Sequence, residues 1–377
     1  MKNKSKSFRI QYIIIAAILA VCGALCAASW RSAAFSDVYR DKVFLKLQAV
    51  FGRISGVLPF SLGELLIAIA VFGGVTLIAV YIVLMIRKKG SRKRVSAVCS
   101  LILLWAVTFV MLTETLNCFI MYHCSSFASV HGISEEKFTG AKLYDLAVKM
   151  TVKCNEAELL IQRDEDGNML LTCDVYAETK AAMQGISDNY PTLSGYYPDP
   201  KGILCSGVMT RFDLLGIYFP FSLEANYNTQ MYNSELPDTI CHEFAHLKGW
   251  IKEDEANFIA YLACIESGSP ELVYSGYMSA LSYLRSKVYR ESSISDEDKA
   301  ALFDMASDNV RHDLSEKGRI FREVKETKLG TAMSAVSDKA IETSLRLNGV
   351  SDGAKSYGRF VDLLLNYYYG ENAHELS

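Results

Sequence analysis

The sequence of 377 residues has almost no net charge and no run of positive charge in its second half. Its 39 Lys and Arg residues nearly balance 42 Asp and Glu residues, which leaves a net charge of −3 at pH 7. Proteins that bind nucleic acids carry a basic stripe or patch, so this balance gives no reason to expect a nucleic-acid partner. We find no internal repeat and no low-complexity segment.

Long apolar runs are absent after residue 122, and this part of the chain has the composition of an ordinary soluble domain of some 250 residues. Regularly spaced cysteines are absent as well, and no CxxC pair occurs among the ten cysteines. Connectivity cannot be derived from such spacing, and we predict no disulfide bridge. We expect Cys241 and Cys264 to be core residues.

The first third of the chain is different, because it contains three long apolar runs. They lie at about residues 10–30, 62–86 and 95–121. A helix that crosses a bilayer needs about 20 mainly apolar residues, and each run reaches that length. We therefore predict a membrane anchor at residues 1–122 with three transmembrane helices in the lipid bilayer. A second domain follows at residues 123–377.

Basic residues predict the orientation of the three runs. Four of them precede the first run, and the loop at residues 87–94 between the second and third runs reads RKKGSRKR. Lys and Arg favour the cytoplasmic side of a membrane, so we expect the N-terminus and this loop inside. The linker at residues 31–61 and the whole second domain are then expected outside the cytoplasm, at the cell membrane.

The second domain has the pattern of an α+β fold dominated by helices, with a small sheet. Residues 216–221 are rich in strand-forming residues and end near a proline, which favours a short edge strand. Residues 190–201 have the composition of a loop. Apolar residues recur at helical spacing in segments 140–156, 178–183, 254–266, 276–289, 296–316, 332–347 and 357–369, and Gly349 and Gly353 precede the last of them.

A metal-binding motif stands at residues 242–246, which read HEFAH. On a helix, His242 and His246 project from the same face, and two imidazoles at this spacing bind one tetrahedral zinc ion. Glu243 points beside the metal rather than at it. Its carboxylate can take a proton from the attacking water and pass it to a leaving group. The motif therefore predicts a Zn²⁺ site with Glu243 as the general base.

Two histidines leave a coordination position for a third protein ligand. The next acidic residues are Glu253, Asp254 and Glu255. Gly249 can end the motif helix and reverse the chain, so that a second helix returns a carboxylate to the metal. We choose Glu253, because Asn257 then lies one turn later and can hold the ligand or a histidine. Glu255 is the alternative ligand.

Six short segments of the chain carry a resemblance to a known family: 216–221 (GIYFPF), 224–226 (EAN), 242–246 (HEFAH), 253–258 (EDEANF), 274–277 (YSGY) and 356–359 (SYGR). Together they resemble the DUF3810 family of bacterial membrane proteins, which has a predicted zincin domain. HExxH followed by ExxAN also resembles the gluzincin peptidases. This resemblance implies a zincin-like domain with His242, His246 and Glu253 as ligands and Glu243 as base. Lys252 stands where metzincins have their third histidine.

Residues outside the motif are candidates for contacts with a substrate. Glu224 and Asn226 lie in segment 224–228, which can line a groove where an extended peptide adds to a sheet edge, or can form a capped turn. Tyr274, Tyr277 and His312 can donate a hydrogen bond to the oxyanion that develops in hydrolysis, or can be packed or surface residues.

These patterns favour a membrane-anchored zinc metallopeptidase that cleaves a protein, a short peptide or a cell-wall amide. The alternative is a binding or sensing protein, or an assembly scaffold, in which zinc only stabilises the fold. A structural zinc site is expected to have four protein ligands. The presence of Glu243 favours catalysis, since a structural site needs no base at that position.

Overall fold

The computed structural model describes residues 2–347 and 356–376, and these residues are predominantly helical with one small sheet. The chain divides into two compact units. The N-terminal unit comprises residues 1–124 together with 219–224, and the C-terminal unit comprises residues 125–218 and 225–377. The predicted boundary at residues 122 and 123 lies beside this division, but segment 219–224 belongs with the N-terminal unit.

In its described residues the N-terminal unit contains five α-helices. They are α1 (Lys2–Arg31), α2 (Ala33–Tyr39), α3 (Leu45–Gly56), α4 (Leu62–Arg87) and α5 (Arg92–Glu114). Within the part of the chain that the structure describes, three helical segments are long and apolar enough to cross a membrane: Ser7–Arg31, Leu62–Arg87 and Lys89–His123. They coincide with the three predicted runs. The linker between the first two runs is not a loop, because α2, a π-helical turn at Arg40–Phe44 and α3 occupy it.

A carboxylate caps the second apolar helix. The first N–H groups of any α-helix lack partners within the helix, and a negative charge is stabilised at this end. Ser61 accepts a hydrogen bond from the backbone N–H of Glu64 at 3.1 Å. Glu224 accepts two more, from the N–H of Leu62 at 3.1 Å and from that of Gly63 at 2.8 Å. The start of α4 is therefore fixed by a residue far away in the sequence.

Gly63 allows this close packing, because an added Cβ would lie 2.1 Å from Cδ2 of Phe219. We expect Gly63→Ala to lower the thermal midpoint of the purified full chain, with a loss of about 1–3 kcal/mol from overpacking. Gly74→Ala in the same helix is the matched control, since no atom lies within 4 Å of its added Cβ. Equal midpoints for the two variants would contradict the packing described.

Among the described residues, the C-terminal unit contains twelve α-helices and three strands, two of which share residues with segment 219–224. Before the motif lie α6 (Phe127–His131), α7 (Gly140–Glu158), α8 (Val175–Gly185), β1 (Lys201–Ile203), α9 (Ser206–Arg211), β2 (Gly216–Phe219) and β3 (Glu224–Asn228). From the motif onward lie α10 (Leu236–Leu247), α11 (Glu253–Ile265), α12 (Pro270–Arg290), α13 (Asp296–Asp304), α14 (Asp308–Glu316), α15 (Arg319–Lys325), α16 (Lys328–Leu347) and α17 (Ser356–Tyr369).

The sheet has the order β1-β3-β2, and β1 pairs with β3 in parallel, with Lys201 opposite Asn226. The edge position predicted for the strand at residues 216–221 is confirmed, because β2 lies at one side. The capped turn predicted as one alternative for segment 224–228 is wrong, and the other alternative, that the segment lines a groove at a sheet edge, stays a prediction. This segment is β3, the central strand, whose two edges are already paired with β1 and β2.

Helix α11 forms the centre of the C-terminal unit. It packs against α10, α12, α17 and α8. From Ala256 to Cys264 its apolar side chains are fully buried, so the helix has no exposed polar face. Its N-terminal residue Glu253 is therefore held by a rigid core element.

The predicted helix at residues 296–316 is two helices. α13 ends at Asp304 and α14 begins at Asp308, where the side chain of Ser307 accepts a hydrogen bond from the backbone N–H of Val310 at 3.2 Å. A serine at this position stabilises the start of a new helix. The other predicted helices fall within observed ones, except that the predicted helix 254–266 extends one residue beyond the end of α11, and the predicted break at Gly349 and Gly353 lies outside the described residues.

Candidate metal centre

The HEFAH motif lies at the C-terminal end of α10, and a glycine turn follows it. Pro237 is the second residue of the helix, where its missing N–H removes no hydrogen bond. Gly249 has φ = +83°, and the N–H groups of Gly249 and Trp250 donate to the carbonyls of His246 and Ala245 at 2.9 and 3.1 Å. This is the Schellman geometry that ends a helix and reverses the chain. It allows α11 to begin only a few residues later.

The turn brings three side chains together. His242, His246 and Glu253 offer ligand atoms that all lie within 4.8 Å of one another. Nε2 of His242 is 3.2 Å from Oε2 of Glu253, and Nε2 of His246 is 3.7 Å from Oε1 of the same carboxylate. Ligands of a tetrahedral zinc ion at 2.0–2.1 Å stand about 3.3 Å apart. Only small shifts of these side chains are needed, so the donor set fits a zinc ion.

Hydrogen bonds orient both imidazoles for metal binding. Nδ1 of His246 is 2.8 Å from the carbonyl oxygen of Trp250, which can only accept, so this nitrogen carries a proton. Nδ1 of His242 is 2.8 Å from Oδ1 of Asn257, the contact expected from the sequence. Both Nε2 atoms therefore face Glu253. A donated Nδ1–H is the usual way in which proteins fix the tautomer of a metal-binding histidine.

The charges of the cluster form an ion pair beside a neutral imidazole. Burial lowers the pKa of His242, but the hydrogen bond and charge of Glu253 outweigh it and raise the pKa to about 9. Burial raises the pKa of Glu253, but His242 outweighs it and lowers the pKa to about 2. Burial and the charge of His242 lower the pKa of His246 to about 4. Metal binding must release the proton of His242, because a ligand histidine is neutral.

Glu243 is a buried carboxyl group next to the cluster. Only 4% of the residue is exposed, and its Oε2 has no hydrogen-bond partner among the described residues. Burial raises its pKa to about 8, although the charge of His242 opposes this shift. Gly216 leaves the space for the group, since an added Cβ there would lie 2.3 Å from Oε1 of Glu243. An unpaired buried carboxyl group of this kind is typical of functional sites.

The two acidic residues after Glu253 have other contacts. Oε1 of Glu255 accepts a hydrogen bond from the backbone N–H of Phe127 at 3.1 Å and lies 3.4 Å from Nζ of Lys252. Oδ2 of Asp254 accepts a hydrogen bond from Nε of Arg359 at 2.8 Å. Of the two ligands considered from the sequence, the structure therefore brings Glu253 to the histidines, and Glu255 contacts the start of α6.

A family model described as a protein of unknown function (DUF3810) matches residues 39–365. The chain belongs to the DUF3810 family. No curated protein matches the sequence, and no solved structure matches it either. The DUF3810 match includes the whole of α10 and α11, and thus all three residues of the cluster, but its description assigns no function.

Five further residues were predicted to contact a substrate, and the structure gives them different surroundings. Glu224 is buried at the start of α4, and Nδ2 of Asn226 donates to the carbonyl of Ile217 at 3.2 Å. Both are buried and hold strands and helices in place, and a contact of either residue with a substrate stays a prediction.

Tyr274, which is buried, and His312, which is half-buried, belong to a second cluster of polar side chains in this DUF3810 protein. The hydroxyl of Tyr274 donates to Asp313, whose carboxylate also pairs with Arg163 at 2.9 Å. Nε2 of His312 is 3.1 Å from Oδ1 of Asn168. Tyr277 is a buried residue of α12 that packs near Tyr261. Hydrogen bonding of these three residues to an oxyanion stays a prediction, and their observed contacts are structural.

Two features of the site have weak or no sequence signals. The Trp250 contact uses a backbone carbonyl, which any residue type provides. The sequence shows Gly216 only as the first residue of a predicted strand. A glycine in a strand often marks a close approach of another group. The ring of Tyr218, two residues further on, lies 6.2 Å from that of His246, measured between centroids.

Proposed function

We propose that this protein is a membrane-anchored, zinc-dependent hydrolase that cleaves a peptide or a related amide bond. The observation that supports it most is the convergence of His242, His246 and Glu253 beside the unpaired carboxyl group of Glu243. Two imidazoles and one carboxylate are a ligand set of catalytic zinc sites, which keep one coordination position open. A structural site would have four protein ligands, and the described cluster offers three.

Each residue has a distinct task in the proposed reaction. A zinc ion bound by the cluster would supply a Lewis acid and an activated water molecule. Glu243 accepts the proton of the attacking water and returns it to the leaving amine. Asn257 and the Trp250 carbonyl keep the histidines in one tautomer and orientation. Gly216 keeps the wall beside Glu243 free of a side chain.

We further propose that the C-terminal unit lies outside the cytoplasm. The basic residues before the first span and in the loop 87–94 are expected inside. Three crossings then bring the site to the outer face of the cell membrane. Substrates on that side include proteins, short peptides and cell-wall amides, and all three contain the bond that the site would cleave.

The test is zinc content combined with hydrolysis by the purified full chain in lipid nanodiscs. We expect about one zinc per chain. We also expect cleavage of members of a peptide library, measured by mass spectrometry, loss of cleavage after treatment with a chelator, and return with added Zn²⁺. Bound zinc without cleavage of peptides or cell-wall fragments would favour the structural or scaffold alternative. A folded chain that binds no zinc would exclude the proposed function.

The space at Gly216 gives a second test. Gly216→Ala is expected to push the Glu243 carboxylate away from its position and to lower the rate of cleavage by about 100-fold, the effect of a shift of about 1 Å in a catalytic group. Zinc content should stay at the wild-type value, because Gly216 contacts none of the three ligands in the described contacts. Gly185→Ala is the matched control, since no atom lies within 4 Å of its added Cβ. An unchanged rate in Gly216→Ala would contradict the role given to Glu243.

A further inference from the structure

Residues 33–60 connect the first two apolar helices and are tied closely to both. α1 ends at Arg31 and α2 begins at Ala33, and only five residues separate the end of α3 from the start of α4. The end of α1 and the start of α4, which this connection joins, therefore lie at the same side of the membrane. The helical conformation continues without a break from Ala33 through the π-helical turn to Gly56, and this stretch carries six charged residues, so it is not among the described segments that are apolar enough to cross the membrane.

The polarity of α3 is the reverse of that in a helix that faces water. Val50 and Ile54, together with Val57 just after the end of the helix, recur on one face and are 57%, 61% and 82% exposed. The opposite side carries Gln48 and Ser55, which are only 1% and 2% exposed. A helix in water exposes its polar face and buries its apolar one. The exposed apolar face of α3 thus fits an apolar surrounding.

Basic side chains border this apolar face. Lys42, Lys46 and Arg53 are exposed. The two acidic residues of the segment, Asp37 and Asp41, lie within 4.0 Å and 2.9 Å of the buried guanidinium of Arg40. The outward charge of the segment is therefore positive. An apolar face with basic residues along its border is typical of helices that lie in the interface of a membrane with anionic lipids.

We propose that α3 lies in the plane of the membrane, with Val50, Ile54 and Val57 inserted at the boundary between headgroups and acyl chains. Its partner is the same bilayer that surrounds the apolar helices, whose side chains such as Ile78 are exposed to a similar degree. Lys42, Lys46 and Arg53 reach the phosphate groups. The connection between the first two spans is thus a fourth membrane-contacting element rather than an aqueous linker.

The test uses a photo-reactive benzophenone amino acid in the full chain, reconstituted in vesicles of phosphatidylethanolamine and phosphatidylglycerol with clickable acyl chains. The reactive residue replaces Val50 or, in a second variant, Ile54. Ile78 in α4 is the positive control. Tyr289, which is 78% exposed in the C-terminal unit, is the negative control. After irradiation, the lipid attached to each protein is measured by fluorescence. No enzymatic activity is needed, so the outcome is independent of the metal site.

We expect lipid labelling at Val50 and Ile54 to fall within about threefold of that at Ile78 and to exceed that at Tyr289 by about tenfold or more. Labelling of both positions at the level of Tyr289 would overturn the proposal. Cross-links from both positions to a second copy of the chain would also overturn it, because the apolar face would then be a protein interface.

Discussion

His246→Ala is expected to reduce the zinc content of the purified chain from about one ion to none. His246 is one of the three proposed ligands, and its Nδ1–H is held by the Trp250 carbonyl so that Nε2 faces Glu253. Loss of a partner that only orients a ligand lowers metal affinity by 10–100-fold. Loss of the ligand itself should therefore lower the affinity by more than about 100-fold. Metal analysis and competition with a chromophoric chelator measure both quantities.

Two comparisons separate a lost ligand from a lost fold. His374→Ala removes an exposed histidine that stacks on Tyr367, and we expect this variant to keep its zinc. Glu253→Gln keeps the size of the third ligand, whose side chain is 38% exposed, and should lose zinc with an unchanged far-UV spectrum. A His246→Ala protein with wild-type zinc content would mean that the metal is bound elsewhere.

Glu243→Gln is expected to lower the rate constant of cleavage by about 10²–10⁴-fold while zinc binding is retained. The amide has nearly the shape of the carboxyl group but cannot accept the proton of the attacking water. Because Glu243 is buried and its Oε2 has no hydrogen-bond partner in the described part of the chain, its charge is costly in the folded state. The variant should therefore be as stable as the wild type or more stable. The rate, the zinc content and the thermal midpoint are measured on the same preparation.

Glu266→Gln is a control for this substitution. Glu266 is an exposed residue that follows the end of α11 and lies outside the cluster. We expect it to retain the wild-type rate. A Glu243→Gln protein that also cleaves at the wild-type rate would exclude Glu243 as the base. Lower activity and lower stability in both variants would point to a general effect of substitution instead.

Helix α10 and the placement of its two histidines could be predicted from the sequence, because the signals for them are local. His242 and His246 share a helix face by their spacing alone, and Gly249 permits the positive φ that reverses the chain. Asn257 lies one turn into the next helix, so its contact with His242 follows from helix geometry. Such local signals could not decide whether Glu253 or Glu255 approaches the histidines, because that depends on where α6 lies.

The sheet shows where local signals are insufficient. β3 carries Glu224, Asn226 and Asn228, and such polar residues predict a turn or an exposed groove. In the structure all three are buried. The carboxylate of Glu224 accepts hydrogen bonds from backbone N–H groups more than 160 residues earlier in the chain. Partners this distant in sequence leave no periodic pattern. The sequence of α3 is limited in the same way. Its apolar residues recur at the ordinary helical period, but this period does not show that the apolar face is exposed and the polar face is buried.

The Schellman turn at Gly249 also affects how strongly a metal can stabilise the chain. Because α11 begins directly after the turn, the three ligands come from a stretch of only 12 residues, from His242 to Glu253. The entropy that a cross-link removes from an unfolded chain grows with the length of the loop that it closes. A metal here closes a very short loop and restricts the unfolded chain little. The fold therefore depends mainly on its buried helices, and an ion bound at the proposed site would leave and return without unfolding the unit.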